Sequence, residues 1–204
     1  MALNILEIFS KGYLKEYLSR NKNLILISFI ILIASAFLGV IFCDVIQQYV
    51  TEILKEIFLS MPENPTVYNE AIFLFQNNIR ANIIIMIGGL LFSIFSVLAI
   101  IMNGMIIGFT YTLVTPIQFI VGILPHGIFE LPATILSLVG AFIITKLEIN
   151  LLNALFKKRL KEEINKSDKL VKDIVLTFII ILVLLIIAAI IEAGVTPVLL
   201  SMVS

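Results

Sequence analysis

Two long stretches with almost no charge constrain the fold of this chain more than any other feature. Between residues 81 and 145 the only formal charge is on Glu130, and between residues 174 and 204 it is on Glu192. Such stretches cannot face water, but they can face lipid if their backbone satisfies its own hydrogen bonds as helix. The composition agrees, because 60% of the residues are hydrophobic and 14% are charged, against roughly a quarter charged in soluble domains.

We therefore predict an all-α fold, a polytopic membrane bundle of about five transmembrane helices that forms a single membrane domain over residues 1–204. Apolar runs of about 20 residues, the length that crosses a bilayer, place the spans at 24–43, 83–102, 105–123, 128–146 and 174–192. Turns are expected at Asn103-Gly104 and at 124–127. The third span contains Thr115-Pro116, so we expect it to be kinked.

Three further segments have amphipathic helical patterns rather than uniformly apolar ones. Residues 1–23 predict an interfacial helix lying on the membrane. Residues 44–80 predict an outer amphipathic segment, broken at Pro62 to Pro65. Residues 147–167 continue the leucine pattern of the fourth span with basic residues interleaved, which predicts a cytoplasmic extension of that helix.

The distribution of basic residues predicts the orientation. The segment before the first span carries four Lys and Arg residues, the 44–80 segment carries two, and the segment from 146 to 173 carries eight. Cytoplasmic loops are enriched in Lys and Arg. We therefore predict a multi-pass protein of the cell membrane with a cytoplasmic N-terminus and an extracytoplasmic C-terminus.

Polar side chains inside the apolar stretches fall mostly at one predicted depth, the outer leaflet, and only Asn103 is expected at the inner face. A carboxylate in a membrane costs about 3 kcal/mol at the centre, so it persists where it faces protein, is paired or is protonated. We expect Glu130 and Glu192 to face each other, with Arg80 as counter-ion. The predicted polar cluster comprises Asn77, Asn78, Arg80, Asn103, His126, Glu130, Glu192 and Thr196.

This cluster leaves several functions open. The simplest interpretation is that its side chains lock helices together. Buried acids and interrupted helices also occur in small transporters and channels, and His126, Glu130 and Glu192 are candidate ligands of a metal such as zinc. One histidine without a cysteine is a sparse ligand set, and the paired aspartates or H-E-x-x-H of membrane proteases are absent from the sequence. We therefore expect no cofactor and no enzyme activity.

Net charge and cysteine content exclude other classes. The formal net charge is zero, which does not suggest a nucleic-acid partner. The single cysteine, Cys43, excludes an internal disulfide and a zinc cluster built on cysteines. The expected partners are the lipid membrane, further copies of the chain in a homo-oligomer, and other membrane or extracytoplasmic proteins.

Three motifs between about residues 77 and 197 resemble the stage II sporulation protein M family: Asn103-Gly104-x-x-x-Gly108, Pro125-His126-Gly127-x-x-Glu130 and Glu192-Ala193-x-x-Thr196-Pro197. In sporulating bacteria the family member is a membrane scaffold that holds cell-wall-degrading partners during engulfment and is not itself the hydrolase. The resemblance implies an integral membrane scaffold or assembly protein. The alternatives are a small transporter or channel using Glu130 and Glu192 and, third, a metal-dependent membrane enzyme.

Overall fold

The computed structural model describes residues 5–61 and 66–203, and all of the regular structure in these ranges is helical. Short 3-10 turns cover Ile5–Phe9 and Gly88–Leu91. The α-helices are α1 (Lys11–Ile41), α2 (Cys43–Ser60), α3 (Val67–Ile87), α4 (Ile94–Leu113), α5 (Pro116–Phe156), α6 (Leu160–Lys166), α7 (Asp168–Gly194) and α8 (Thr196–Ser201).

Five helices are long and apolar enough to cross a membrane: α1, α3, α4, α5 and α7. The all-α class and the number of spans predicted from the sequence are therefore confirmed. All but the last two residues of the first predicted span, 24–43, lie within α1. The last predicted span, 174–192, lies entirely within α7. The three spans between them have different bounds.

The second and third predicted spans are divided at the wrong place. The chain turns at residues 88–93, where Phe92 and Ser93 have φ values of 54° and 57°, and not at Asn103-Gly104, which lies inside α4. The turn is held against α5, because Thr145 Oγ1 lies 2.6 Å from Ser93 Oγ and donates to the Gly89 carbonyl oxygen at 2.7 Å. Apolar residues on both sides of the turn hide it from a hydropathy analysis.

The fourth predicted span, 128–146, is the middle of a much longer helix. Thr115 and Gln118 form a capping box at the start of α5, with Pro116 at its first position, so the predicted kink in the span 105–123 is a helix boundary. The turn predicted at 124–127 is absent, and α5 continues through Pro125 and Pro132. The predicted extension 147–167 ends with α5 at Phe156, and α6 follows as a separate helix.

The predicted surface segments are also corrected. Residues 11–23 are the first turns of α1 and continue without a break into its apolar part, so the predicted interfacial helix over 1–23 is not a separate element. In the 44–80 segment only α2 is separate from the spans, since α3 begins at Val67 and is itself long enough to cross a membrane. The predicted break at 62–65 lies outside the described residues.

Two helix pairs form most of the bundle, α5 along α7 and α1 along α4, and α3 lies against α5 and α7. The α1–α4 contact is close because a Cβ added at Gly104 would lie 2.6 Å from Ser35 Cβ, and one at Gly108 would overlap the Ala36 carbonyl. The small residues Gly104 and Gly108 thus let the backbones of α1 and α4 approach closely. The predicted outer end of α5, which carries the predicted cluster, belongs to the other pair, α5 and α7.

Candidate functional site

The candidate site lies at the predicted outer end of the bundle, where α5 meets the end of α7 and the start of α8. His126 and Glu130 are on α5, Glu192 is on α7, and Thr196 begins α8. One nitrogen of His126 and one carboxylate oxygen from each glutamate lie within 4.8 Å of one another. We call His126, Glu130, Glu192 and Thr196 the outer cluster.

The continuity of α5 places two of these side chains on one face. Because α5 does not break at Pro125, His126 and Glu130 are i and i+4 residues of a single helix, and His126 Nε2 lies 3.9 Å from Glu130 Oε2. Both side chains are largely buried, with 12% and 29% of their surface exposed. The polar atoms therefore face α7 and remain partly open to solvent.

Thr196 orients the histidine ring. Its hydroxyl oxygen lies 3.4 Å from His126 Nδ1 and 3.5 Å from the carbonyl oxygen of Ile191. A hydroxyl that donates to the carbonyl is able to accept from an Nδ1–H. Nε2 is the ring nitrogen for which the structure gives a short distance to Glu130.

The outer cluster has an excess of negative charge. Glu70 of α3 also interacts electrostatically with Glu192, and Oε2 of Glu192 is a buried atom without a hydrogen-bond partner. No Lys or Arg among the described residues forms an ion pair with Glu130 or Glu192. Chemically, the arrangement can share protons between the carboxylates or hold a cation.

The other predicted members of the cluster lie elsewhere. Arg80 and Asn77 are exposed on α3, and Arg80 is not the counter-ion of either glutamate in the described structure, which corrects that expectation. The backbone of Asn78 accepts a hydrogen bond from Asn82. Asn103 lies in the middle of α4, not at the inner face, because α4 begins nine residues before it at Ile94.

Sequence reasoning missed a second polar site at the predicted inner end of the bundle. Asp173 of α7 is only 3% exposed and accepts hydrogen bonds from Tyr13 Oη at 2.8 Å, Arg20 Nη2 at 2.7 Å and Asn21 Nδ2 at 3.3 Å. We call these four residues the inner cluster. The available signal is the position of Asp173 immediately before the apolar run of α7.

A nearby ion pair holds the N-terminal 3-10 turn to α7. Lys172 Nζ donates to Glu7 Oε2 at 2.9 Å, and this hydrogen bond holds the pKa of Glu7 below its ordinary value. The N-terminal part of the chain is therefore attached to α7 by the buried hydrogen bonds of the inner cluster and by the more exposed Lys172–Glu7 ion pair.

Comparison with known proteins gives the family. Residues 26–197 match the family model described as Stage II sporulation protein M. The chain belongs to this family. The match includes every residue of the outer cluster, and the resemblance inferred from the three motifs is confirmed.

One curated relative is similar in sequence, but its name states no activity. An uncharacterized protein of Methanocaldococcus jannaschii is 31% identical over 127 residues, which cover 59% of this chain and 67% of the relative. No solved structure matches the chain. Family membership and the five apolar helices together describe a membrane protein of the stage II sporulation protein M family.

Proposed function

We propose that the protein is a non-enzymatic membrane scaffold that binds the transmembrane helix of a partner protein through α3. The observation that carries the proposal is Arg80, an exposed cation in the middle of a membrane-spanning helix. Gln76, Asn77 and Arg80 are all exposed and lie within four positions of one another, so they share one side of α3. We call these three residues the α3 polar face.

The packing of α3 against α7 fixes the depth of Arg80. A Cβ added at Gly194 would lie 3.7 Å from Val67, so the start of α3 is level with the end of α7. The neighbour of Arg80, Ile79, packs against a buried cluster that contains Met86, Ala133 and, from α7, Ile181 and Leu185. The two α7 members of this cluster lie near the middle of the charge-free run 174–191, which is about 27 Å long at 1.5 Å per residue. Arg80 is therefore near the membrane midplane.

A cation at this depth requires a partner. An arginine at the centre of a bilayer costs about 3 kcal/mol or more, and such residues nearly always face protein, water or an opposite charge. The Arg80 side chain has no ion pair within the described chain. A two-fold pairing of copies through α3 would bring one Arg80 towards another, so charge complementarity favours a different helix that carries Asp or Glu near its midpoint.

Of the described grooves, a partly polar one is lined by Arg20, Lys146 and Asp173 at the predicted inner end, and the apolar one gives little support to the transport alternative. A cavity of about 570 Å³ between α1, α4 and α5 has only apolar side chains and one glycine along its walls, among them Phe29, Ile107 and Phe119. An apolar groove of this kind suits lipid chains, whereas an ion or a polar solute requires hydrogen-bonding groups along its path. The scaffold proposal therefore uses the exposed face of α3 and not the interior.

A designed peptide tests the proposal directly. The full chain is reconstituted in phosphatidylcholine vesicles with a donor dye on its single cysteine, Cys43. Acceptor-labelled polyleucine transmembrane peptides are added, one with a central Asp and one without, and energy transfer reports binding. We expect the Asp peptide to bind about tenfold more tightly, which corresponds to about 1.4 kcal/mol, and this preference to be lost in Arg80→Leu.

Photo-crosslinking in native membranes is a second test with a matched control. The test variant has a photoreactive residue in place of Ile84, which is 62% exposed one turn beyond Arg80. The control variant has it in place of Phe37, which is 67% exposed on α1. A heterotypic adduct of defined mass is expected at position 84 alone and should disappear with Arg80→Leu. Equal binding of the two peptides, or adducts only at multiples of the chain's own mass, would overturn the proposal.

A further inference from the structure

We propose that the outer cluster is a binding site for a divalent transition-metal cation of the zinc class, with Nε2 of His126 and one carboxylate oxygen each of Glu130 and Glu192 as ligands. This inference rests on α5, α7 and α8 and does not depend on the proposed scaffold function. The three side chains come from two long helices and converge on one volume, since their ligand atoms lie within 4.8 Å of one another.

The distances suit a metal better than a set of direct hydrogen bonds. The separation of 3.9 Å between His126 Nε2 and Glu130 Oε2 is too long for a hydrogen bond. Zinc binds imidazole nitrogen and carboxylate oxygen at about 2.0–2.2 Å, so two ligands of one ion are about 3.3 Å apart in tetrahedral geometry. Small rotations of the glutamate side chains would close the remaining difference.

The histidine is prepared for ligation by its neighbour. Metal-bound histidines usually donate their second ring N–H to a nearby acceptor, which fixes the ring and the tautomer. The Thr196 hydroxyl oxygen, 3.4 Å from Nδ1, is positioned to accept that N–H. In this arrangement Nε2 is the ligand atom, and it lies 3.9 Å from Glu130 Oε2.

The charges around the site favour a cation. Glu130 and Glu192 are close together, Glu70 adds a third acid on the same side, and Glu192 Oε2 is buried without a hydrogen-bond partner. Like charges at this spacing require a proton or a cation between them. No Lys or Arg in the described ranges forms an ion pair with these glutamates.

The ligand types select the class of metal. Imidazole suits zinc and neighbouring transition metals, whereas magnesium and calcium prefer oxygen ligands alone. Three protein ligands leave one tetrahedral position for water. Because 29% of the Glu130 side chain is exposed, the site is not sealed inside the bundle.

Metal binding by the purified full chain tests the inference. The protein in detergent is stripped with a chelator and titrated with Zn²⁺, Co²⁺ or Mg²⁺ in a calorimeter, and the Co²⁺ sample is also followed by visible absorption. We expect one equivalent of Zn²⁺ or Co²⁺ per chain, a tetrahedral Co²⁺ spectrum and no Mg²⁺ binding. His126→Ala and Glu192→Gln should each weaken Zn²⁺ binding at least tenfold, and the positioning variant Thr196→Val about tenfold.

Two controls keep the result interpretable. Glu52→Gln removes an exposed carboxylate from α2 and should bind Zn²⁺ like the original chain, as should Arg80→Leu, which separates this site from the scaffold proposal. Gel filtration and circular dichroism verify that each variant is folded. If His126→Ala does not fold, the two single variants Glu192→Gln and Thr196→Val decide whether the outer cluster binds the metal. Absence of Zn²⁺ and Co²⁺ binding, or unchanged affinity in the folded site variants, would overturn the inference.

Discussion

At the scale of single residues, Asp173 is a buried carboxylate with hydrogen bonds to both of its oxygens. Arg20 approaches both of its carboxylate oxygens, at 2.7 Å and 3.3 Å, while Tyr13 and Asn21 donate to the same group. A buried carboxylate is tolerated when its oxygens are paired and hydrogen-bonded. Its role follows from these contacts: it joins the inner ends of α1 and α7.

Removing one member of this pair should therefore be costly. We expect Asp173→Leu or Arg20→Leu to lower the free energy of unfolding by about 3 kcal/mol, since Arg20→Leu leaves the buried carboxylate without a cation and Asp173→Leu leaves Arg20 with only the exposed Glu16. The double variant should lose less than the sum of the two. The measurement is unfolding in mixed detergent micelles followed by circular dichroism, and additive losses would contradict the proposed pairing.

A neutral substitution calibrates that experiment. Glu162→Ala removes an exposed acid from α6 and should change the free energy of unfolding by less than about 0.5 kcal/mol. A loss as large as that of Asp173→Leu would mean that acids near the inner end act through general charge and not through the inner cluster.

At the scale of helices, α1 and α4 depend on the absence of side chains at their contact. Gly39, Gly104 and Gly108 each lie where an added Cβ would meet the backbone of the facing helix. Helices in a membrane gain little from apolar burial against each other, so close backbone contact supplies much of their attraction. A single methyl group at this contact must push the two helices apart.

We expect Gly108→Ala to lower the midpoint of thermal unfolding, because overpacking costs about 1–3 kcal/mol and the Ala36 carbonyl cannot move away without displacing α1. Gly12→Ala is the matched control, since it makes the same change on α1 where nothing lies within 4 Å. Alanine there should be neutral or stabilising by up to about 1 kcal/mol. Circular dichroism in detergent measures both, and equal midpoints would show that the contact is not tight.

The helix α5 continues through residues that locally predict the end of a helix. It runs for 41 residues, about 61 Å at 1.5 Å per residue, through two prolines that usually end or kink a helix. Neighbouring helices and the surrounding bilayer favour continued helix, because an interrupted backbone would leave polar groups unsatisfied. This continuity brings His126 into register with Glu130 and gives the outer cluster its geometry.

At the scale of the whole molecule, the helix order allows the orientation predicted from the basic residues to be tested. If each of the five long helices crosses the membrane once, α2 and the C-terminus lie on one side and α6 on the other, and the basic residues predict α6 to be cytoplasmic. In a Cys43→Ser background, we expect Glu52→Cys to react with a membrane-impermeant maleimide on intact cells. Lys161→Cys should react only after permeabilisation, and the reverse pattern would contradict the predicted orientation.

The sequence by itself determined the helical class, the number of spans and the family, because charge-free stretches of bilayer length leave the backbone no other solution. It also singled out His126, Glu130, Glu192 and Thr196, whose polarity is conspicuous in an apolar chain. Their assembly depends on the continuity of α5, whereas the sequence around Pro125 predicts a turn between two helices.

Only the tertiary structure decided where the chain turns, which polar groups meet and which are left on the surface. The turn at 88–93 lies between apolar residues, and its partner Thr145 is about fifty positions away. The sequence places Arg80 beside the glutamates, but it is exposed on α3, while Asp173 is buried and meets Arg20, which is 153 positions away. Hydropathy shows which stretches are apolar enough to cross a membrane, but the side of the helix that faces protein depends on contacts between segments far apart in the chain.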